Sequence, residues 1–357
     1  MNVTIKHTYC TPFKEHWDRS IESLAIEAIE GVSIKEIPID ALFFSSFIYP
    51  QLAQDPSFTT RIAKKLHLEC PVFSFFGSDC ASGEAMQAAF LSLQTGSFQN
   101  VIVCGVDKLS DWKSDDLRMA HASCLSPEER LQGITRDGYM ALLAQQYFAD
   151  TGNVATDFDA IVSFLHSHAT ANLLAQFQKP IAAETVEKSS FIVEPFRQLH
   201  CTAPCDGAAA LLLSSQKNKN PSTINLTAME SRVGEAIDLF NATPPFKTVQ
   251  TSSQQVYEFS DRYPLEPILM AESLGLCKKG KGASWFLVQG KVCNPDGGCK
   301  AFGDPTGAMA IRQYYSVVNF LENNISPQSG LVITTGNALR QCFIGLVTKS
   351  TGEGNHA

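Results

Sequence analysis

Apolar positions along the chain change period several times, and the changes predict the elements. The opening NVTIKHTY reads as a strand, and residues 14–30 then place Trp17, Ile21, Leu24, Ala25 and Ala28 at helical spacing. Residues 41–48 (ALFFSSFI) are a short aromatic-rich apolar run, which predicts a buried strand, and helical spacing returns over 58–68. The most regular unit follows: 71–76 (PVFSFF) as a strand, a turn at GSDCASG, a helix over 84–95 stopped by Gly96, and 101–106 (VIVCGV) as a strand. Strand, helix and strand at this length make a βαβ unit, so a parallel sheet is expected.

Between about 110 and 200 the pattern turns to polar helices and loops with aromatic clusters, which reads as an insertion, or cap, on the scaffold. Residues 208–213 (AAALLL) resume as a buried strand, and 217–222 (KNKNPS) form the most linker-like stretch, rich in turn formers and without an apolar residue. A second α/β half follows. It has a strand near 224–229, helices near 252–259 and 265–276, a Gly- and Pro-rich turn region over 294–307, a helix over 308–322, and strands at 331–335 and 342–349. The element order of the two halves is similar, so the economical description is a pseudo-duplicated α/β chain, 1–216 and 217–357.

The 357 residues are long enough for two compact units. At 44% hydrophobic and 18% charged the composition is that of a globular protein. Lys and Arg number 28 against 36 Asp and Glu, a net charge of −8, which offers no basic face for nucleic acid. No run of 18 apolar residues occurs and the N-terminus has no signal-like pattern, so the expectation is a soluble cytoplasmic protein with no membrane partner. Eleven cysteines, many inside apolar stretches, read as reduced thiols. Neither Cys201 with Cys205 nor Cys293 with Cys299 has zinc-site spacing, so no metal is expected.

Cys80 stands where a buried strand is expected to turn into a helix, next to Asp79 and the small residues Ala81, Ser82 and Gly83. A helix N-terminus presents free N–H groups and a positive dipole end, which favours thiolate. Small neighbours let a substrate approach the sulfur. The bland alternative is an inert buried thiol like most of the other ten.

These residues resemble a family. The Cys80 turn with the following helix and VIVCGVDKLSD looks like the nucleophile segment of thiolases. PCDGAAALLL resembles the thiolase SDGAAA strand, TRDGYMALLAQQYFADTG resembles a helix of the inserted cap, and NPDGGCKAFGDPTGAMAIRQ resembles the segment carrying Gly-His-Pro. The helix LEPILMAESLGLCKKG is similar to one in the thiolases related to sterol carrier protein x. The matches run in order through most of the chain. They imply a thiolase fold: two βαβαβ-type halves in an α/β/α/β/α layering with an inserted cap, assembled as a homodimer.

The resemblance also exposes departures. The family's Gly-His-Pro reads Gly303-Asp304-Pro305, its His-Asp or Asn-Glu pair ahead of a Phe reads Ser260-Asp261-Arg262-Tyr263, and its second cysteine turn reads Thr334-Thr335-Gly336. An ionised aspartate accepts hydrogen bonds and cannot give the one that a neutral imidazole donates to an oxyanion. Two explanations stay open. In one, an acyl group from a CoA or carrier-protein thioester passes onto Cys80, held by the backbone N–H groups of Cys80 and Gly336, with Asp304 accepting a proton or positioning the acceptor; no tightly bound cofactor is needed. In the other, the chain is a binding or structural subunit beside a thiolase-like, synthase-like or small OB-fold partner. His166 and His168, two apart in FLHSHATAN, would share one side if extended, and His121 lies near the start of the cap. All three are candidates to supply base catalysis from the cap, which the resemblance places over the active site, against the ordinary reading of a surface histidine.

Overall fold

The computed structural model describes residues 3–33, 37–216, 223–234 and 255–350. Eleven strands are found among them: β1 (Val3–Cys10), β2 (Ala41–Ser45), β3 (Val72–Phe75), β4 (Asn100–Lys108), β5 (Phe191–Val193), β6 (Phe196–Arg197), β7 (Asp206–Ser214), β8 (Thr223–Val233), β9 (Val256–Phe259), β10 (Ser329–Gly336) and β11 (Gln341–Ser350). β5 and β6 form a small ribbon, and the other nine run in the order β3-β2-β4-β7-β1-β8-β11-β10-β9. β2 is parallel to β3 and β4, and β7 runs antiparallel to β4 and β1. The second half mirrors this: β9 is parallel to β10, and β11 runs antiparallel to β10 and β8. The halves meet at β1 and β8, where, among the described residues, Val3 pairs with Leu226 and Thr4 with Asn225. The linker-like stretch 217–222 lies outside the described residues.

The helices used below are α1 (Ile21–Val32), α2 (Phe58–Lys65), α3 (Ala81–Gln94), α4 (Ser114–Ala122), α5 (Arg136–Thr151), α6 (Thr156–His168), α7 (Leu265–Ser273), α8 (Gly282–Val288) and α9 (Met309–Asn323). α3 and α9 pack on each other and against strands of both halves, so they form the middle layer. α1 covers the other face of β4 and β7, and α5 to α8 bury apolar residues in one cluster with β9 and β10. The result is the five-layer arrangement expected from the sequence, with the cap leaning on the second half.

Several local expectations are corrected. The first helix starts at Ile21, because Ser20 caps it by accepting a hydrogen bond from Ser23 N, while Asp206 holds the backbone of Lys14 and His16 in extended form. Trp17 therefore lies outside the helix and is 71% exposed. The expected helix over 252–259 is the strand β9 from Val256 onward; a four-residue run buried on both faces carries no period, and its backbone pairs with β10. Residues 252–254 fall outside the described set. β3 is an edge strand with Phe73 40% exposed, not a buried one, and α8 had no counterpart in the sequence reading.

Candidate active site

Cys80 is the N-cap residue of α3, with φ −115° and ψ 20°. Its side chain is fully buried, and its thiol lies 3.1 Å from Gln341 Oε1 and 3.2 Å from Ser78 Oγ. Gly336, the last residue of β10, faces it so closely that a Cβ there would stand 2.7 Å from Cys80 Sγ and 2.7 Å from Asp79 Oδ1. The next three residues, Asn337, Ala338 and Leu339, all have left-handed backbones, with φ of 51°, 54° and 64°. Such strain persists only where surroundings impose it. Here Asn337 donates from its backbone N to Asp79 Oδ1 (2.6 Å) and from its side chain to Gln341 Oε1 (2.7 Å).

Two expectations for the nucleophile change. Burial, reinforced by the Asp79 and Glu84 carboxylates, pushes the Cys80 thiol well above its ordinary value, so the helix N-terminus does not leave a thiolate at rest. Cys80 N, expected to be free for an oxyanion, donates to Ser78 Oγ at 3.3 Å.

Arg262 is the residue that ties the site together. Its guanidinium sits 3.2 Å from Asp79 Oδ2 and 3.2 Å from Asp304 Oδ2, and it donates to the carbonyls of Asp79 (3.2 Å) and Thr335 (2.9 Å). All three charged side chains are buried. Asp304 thus has one oxygen on Arg262, while Oδ1 is buried without a hydrogen-bond partner. The expected free acceptor is half of an ion pair.

The other sequence candidates brace the frame. Ser260 Oγ accepts from Thr335 N at 2.9 Å, and Thr334 Oγ1 donates to Gln313 Oε1 at 2.6 Å. Asp261 accepts from Cys299 N at 2.5 Å, and burial pushes its carboxyl up to about 6. Each is committed to the protein's own turns. Glu266, on α7, accepts from Thr335 Oγ1 at 3.2 Å, and burial, only partly offset by Arg262, raises its carboxyl to about 7. A cavity of about 10 Å³ lies between Glu266, Asp79, Arg262, Thr335 and Gly336, room for one water.

A larger cavity of about 310 Å³ opens beyond Asp304, with Leu109, Leu117, Arg118, His121 and Thr306 among its walls. His121 belongs to this wall, and its Nδ1 lies 3.0 Å from the guanidinium of Arg136. His166 and His168 are buried on α6, which is helical and not extended. His168 Nδ1 lies 3.1 Å from the carbonyl of Asn294, and burial lowers both rings below their ordinary values, His166 to about 4. None of the three is the surface histidine that their composition suggested. Among the described residues no group of three or more His, Cys, Asp or Glu is arranged to hold a metal ion, and no helix is long and apolar enough to cross a membrane.

No family model matches the chain. Known sequences do. The chain is 29% identical over 337 residues to an acetyl-CoA acetyltransferase of Methanocaldococcus jannaschii, covering 85% of each. It is 28% identical over 230 residues to the benzoylsuccinyl-CoA thiolase subunit BbsB of Thauera aromatica, covering 57% of this chain and 59% of that one. Sterol carrier protein 2 of Gallus gallus is 25% identical over 278 residues, 66% of this chain and 50% of the relative. Solved structures with the same fold include an Ltp2-ChsH2(DUF35) aldolase (TM-score 0.79, 18% identity, 99% and 98% covered) and the Acat5 thiolase of Ascaris suum in complex with coenzyme A (0.73, 15%, 98% and 100%). The chain is similar in sequence to thiolase-superfamily enzymes and shares their fold.

Within this thiolase-like chain the site residues that the sequence reading did not assign are Arg262, Asp79, Glu266, Gln341 and Arg136. Arg262 was legible in principle. A guanidinium three residues beyond Phe259, coupled with an aspartate in a Gly-x-Pro turn, is a complementary pair of departures, and a buried charge requires such a partner. Gln341 and Glu266 carried no comparable signal, because their proximity to Cys80 and Thr335 arises only from folding.

Proposed function

We propose that the chain is a thiolase-type acyltransferase that takes an acyl group from a CoA or carrier-protein thioester onto Cys80 and passes it to an acceptor. The observation that carries this reading is the placement of Cys80: a thiol at the first turn of the central helix, against a Gly336 that leaves no room for a side chain. Names borne by relatives, acetyl-CoA acetyltransferase and benzoylsuccinyl-CoA thiolase, support it. In the first step the Cys80 sulfur bonds to the thioester carbonyl carbon, the carbon–sulfur bond to CoA breaks, and the thiol proton leaves with the departing thiol. In the second, a nucleophilic acceptor takes the acyl group and Cys80 regains a proton. The exchange consumes no cofactor. Carbon–carbon condensation needs a base for an α-proton as well, and the carboxylate in the Gly303-Asp304-Pro305 turn is already paired with Arg262, which favours transfer to a more reactive acceptor.

One observation favours a second reading. Arg262 spans from Asp79 beside the thiol to Asp304 on the wall of the larger cavity, and Cys80 itself is fully buried. A subunit whose thiol is closed off in this way would act within a complex; the structural relative solved as Ltp2-ChsH2(DUF35) is itself a partnered protein. The exposed Phe73 on edge strand β3 and Leu91 on α3 fit the homodimer implied by the resemblance, and all eleven cysteines are free, which suits a cytoplasmic setting.

Intact-protein mass spectrometry after incubation with a panel of acyl-CoA thioesters tests the two. The transferase reading expects one acyl mass on wild type and on Cys104→Ala, and none on Cys80→Ala. No acyl mass with any donor would transfer the weight to the subunit reading.

A further inference from the structure

The histidine absent from the Gly303-Asp304-Pro305 turn leaves a thioester without its imidazole donor on that side, and His121 stands across the same cavity. Its tautomer is fixed by its neighbour. An arginine guanidinium only donates, so the contact at 3.0 Å makes Nδ1 of His121 the acceptor and puts the ring proton on Nε2. Arg136 cannot release this arrangement easily: it also donates to Tyr263 Oη at 3.3 Å and lies 5.7 Å from the centre of that ring, and Tyr263 Oη in turn donates to Asp137. The imidazole packs against Phe47, with ring centres 5.9 Å apart. Nε2 has no protein partner and is not among the buried polar atoms, and the residue lines the cavity, so its N–H is open to a ligand there. Burial and the positive charges of Arg136 and Arg262 keep the ring neutral. A neutral imidazole of fixed tautomer is a hydrogen-bond donor and a poor base, the opposite of the role first considered for His121.

We propose that His121 Nε2–H donates a hydrogen bond to the carbonyl oxygen of an acyl thioester held in the cavity beside Asp304 and Thr306. This rests on the reading that the chain binds acyl thioesters. It adds a substrate-binding residue to that reading, without adding a proton transfer. Arg136 is the positioning residue that sets the tautomer.

The test compares butyryl-CoA with S-butyl-CoA, a thioether lacking only the carbonyl, in the Cys80→Ala protein, which keeps the thioester intact. Calorimetry should show the thioester bound about tenfold more tightly. Infrared spectra with ¹³C at the carbonyl should show its stretch moved to lower frequency on binding. Adding His121→Phe should abolish both differences, and adding His121→Gln, which retains a side-chain N–H, should restore part of the band shift. If both ligands bind but the carbonyl band is unmoved, or moves equally with His121→Phe, His121 is not the donor and the acyl-thioester reading survives. If neither ligand binds, both fall together.

Discussion

Arg262 Nε lies 3.2 Å from Asp304 Oδ2, and the two residues stand in two of the segments that depart from the thiolase pattern. The pair lies in the interior, where neither charge is tolerable alone. Asp79 completes it from the other side, so three segments distant in sequence (the nucleophile turn, the end of β9 and the turn before α9) are held by one guanidinium.

That coupling predicts the outcome of restoring the family's histidine. Asp304→His alone should lower stability by about 3 kcal/mol, because Arg262 keeps its burial and loses a counter-charge. Arg262→Ala combined with Asp304→His should cost less than the sum of the two single variants, because each single variant already breaks the pair, while Asp79 still loses its counter-charge. Urea midpoints of the wild type, both single variants and the double variant measure the coupling; additive effects would show that the pair is independent.

Gly336→Ala should disable the site through sterics alone. The new Cβ would overlap both Cys80 Sγ and Asp79 Oδ1, so the thiol or the end of β10 must move. Overpacking of this kind costs about 1–3 kcal/mol. Acylation or alkylation of Cys80 should fall at least tenfold while Cys104, buried elsewhere, is unaffected; peptide-level mass spectrometry distinguishes the two thiols. An unchanged Cys80 rate would place the reactive face of the sulfur away from Gly336.

Much of this frame was legible in the sequence because it depends on local pattern. The βαβ unit around Cys80 has strong periodicity, punctuating glycines and a run of small residues, and it folded as read except that its first strand is an edge. Val256 to Phe259 was misread because four residues buried on both faces, Glu258 among them, show no strand alternation until a partner strand claims them. The site was harder for a different reason. Ser260, Asp261 and Thr334 are polar and near the thiol in the family pattern, yet their hydrogen bonds go to Thr335, Cys299 and Gln313, partners 21 to 75 positions away. The thiol's own state depended on burial, which a helix N-terminus in the sequence does not reveal.

Glu266 gives the clearest pH signature. Burial, its largest influence, raises its carboxyl from the usual 4.5 to about 7, with Arg262 pulling the other way. The folded protein therefore holds a proton that the unfolded chain has already released between those values. Its contribution to stability is fully present below pH 4.5 and is lost as pH rises through 7. Glu266→Gln keeps an oxygen to accept from Thr335 Oγ1 and removes the titration. The stability of wild type minus that of Glu266→Gln should therefore fall by about 3 kcal/mol between pH 4.5 and pH 8, and flatten above that. Asp261 shifts in the same direction and remains in both proteins, so the subtraction isolates Glu266. Urea unfolding at pH 5, 6, 7 and 8 measures the difference; a flat line, or one rising with pH, would mean that Glu266 is ionised in the fold and that the small cavity beside Gly336 holds a carboxylate instead of a carboxylic acid.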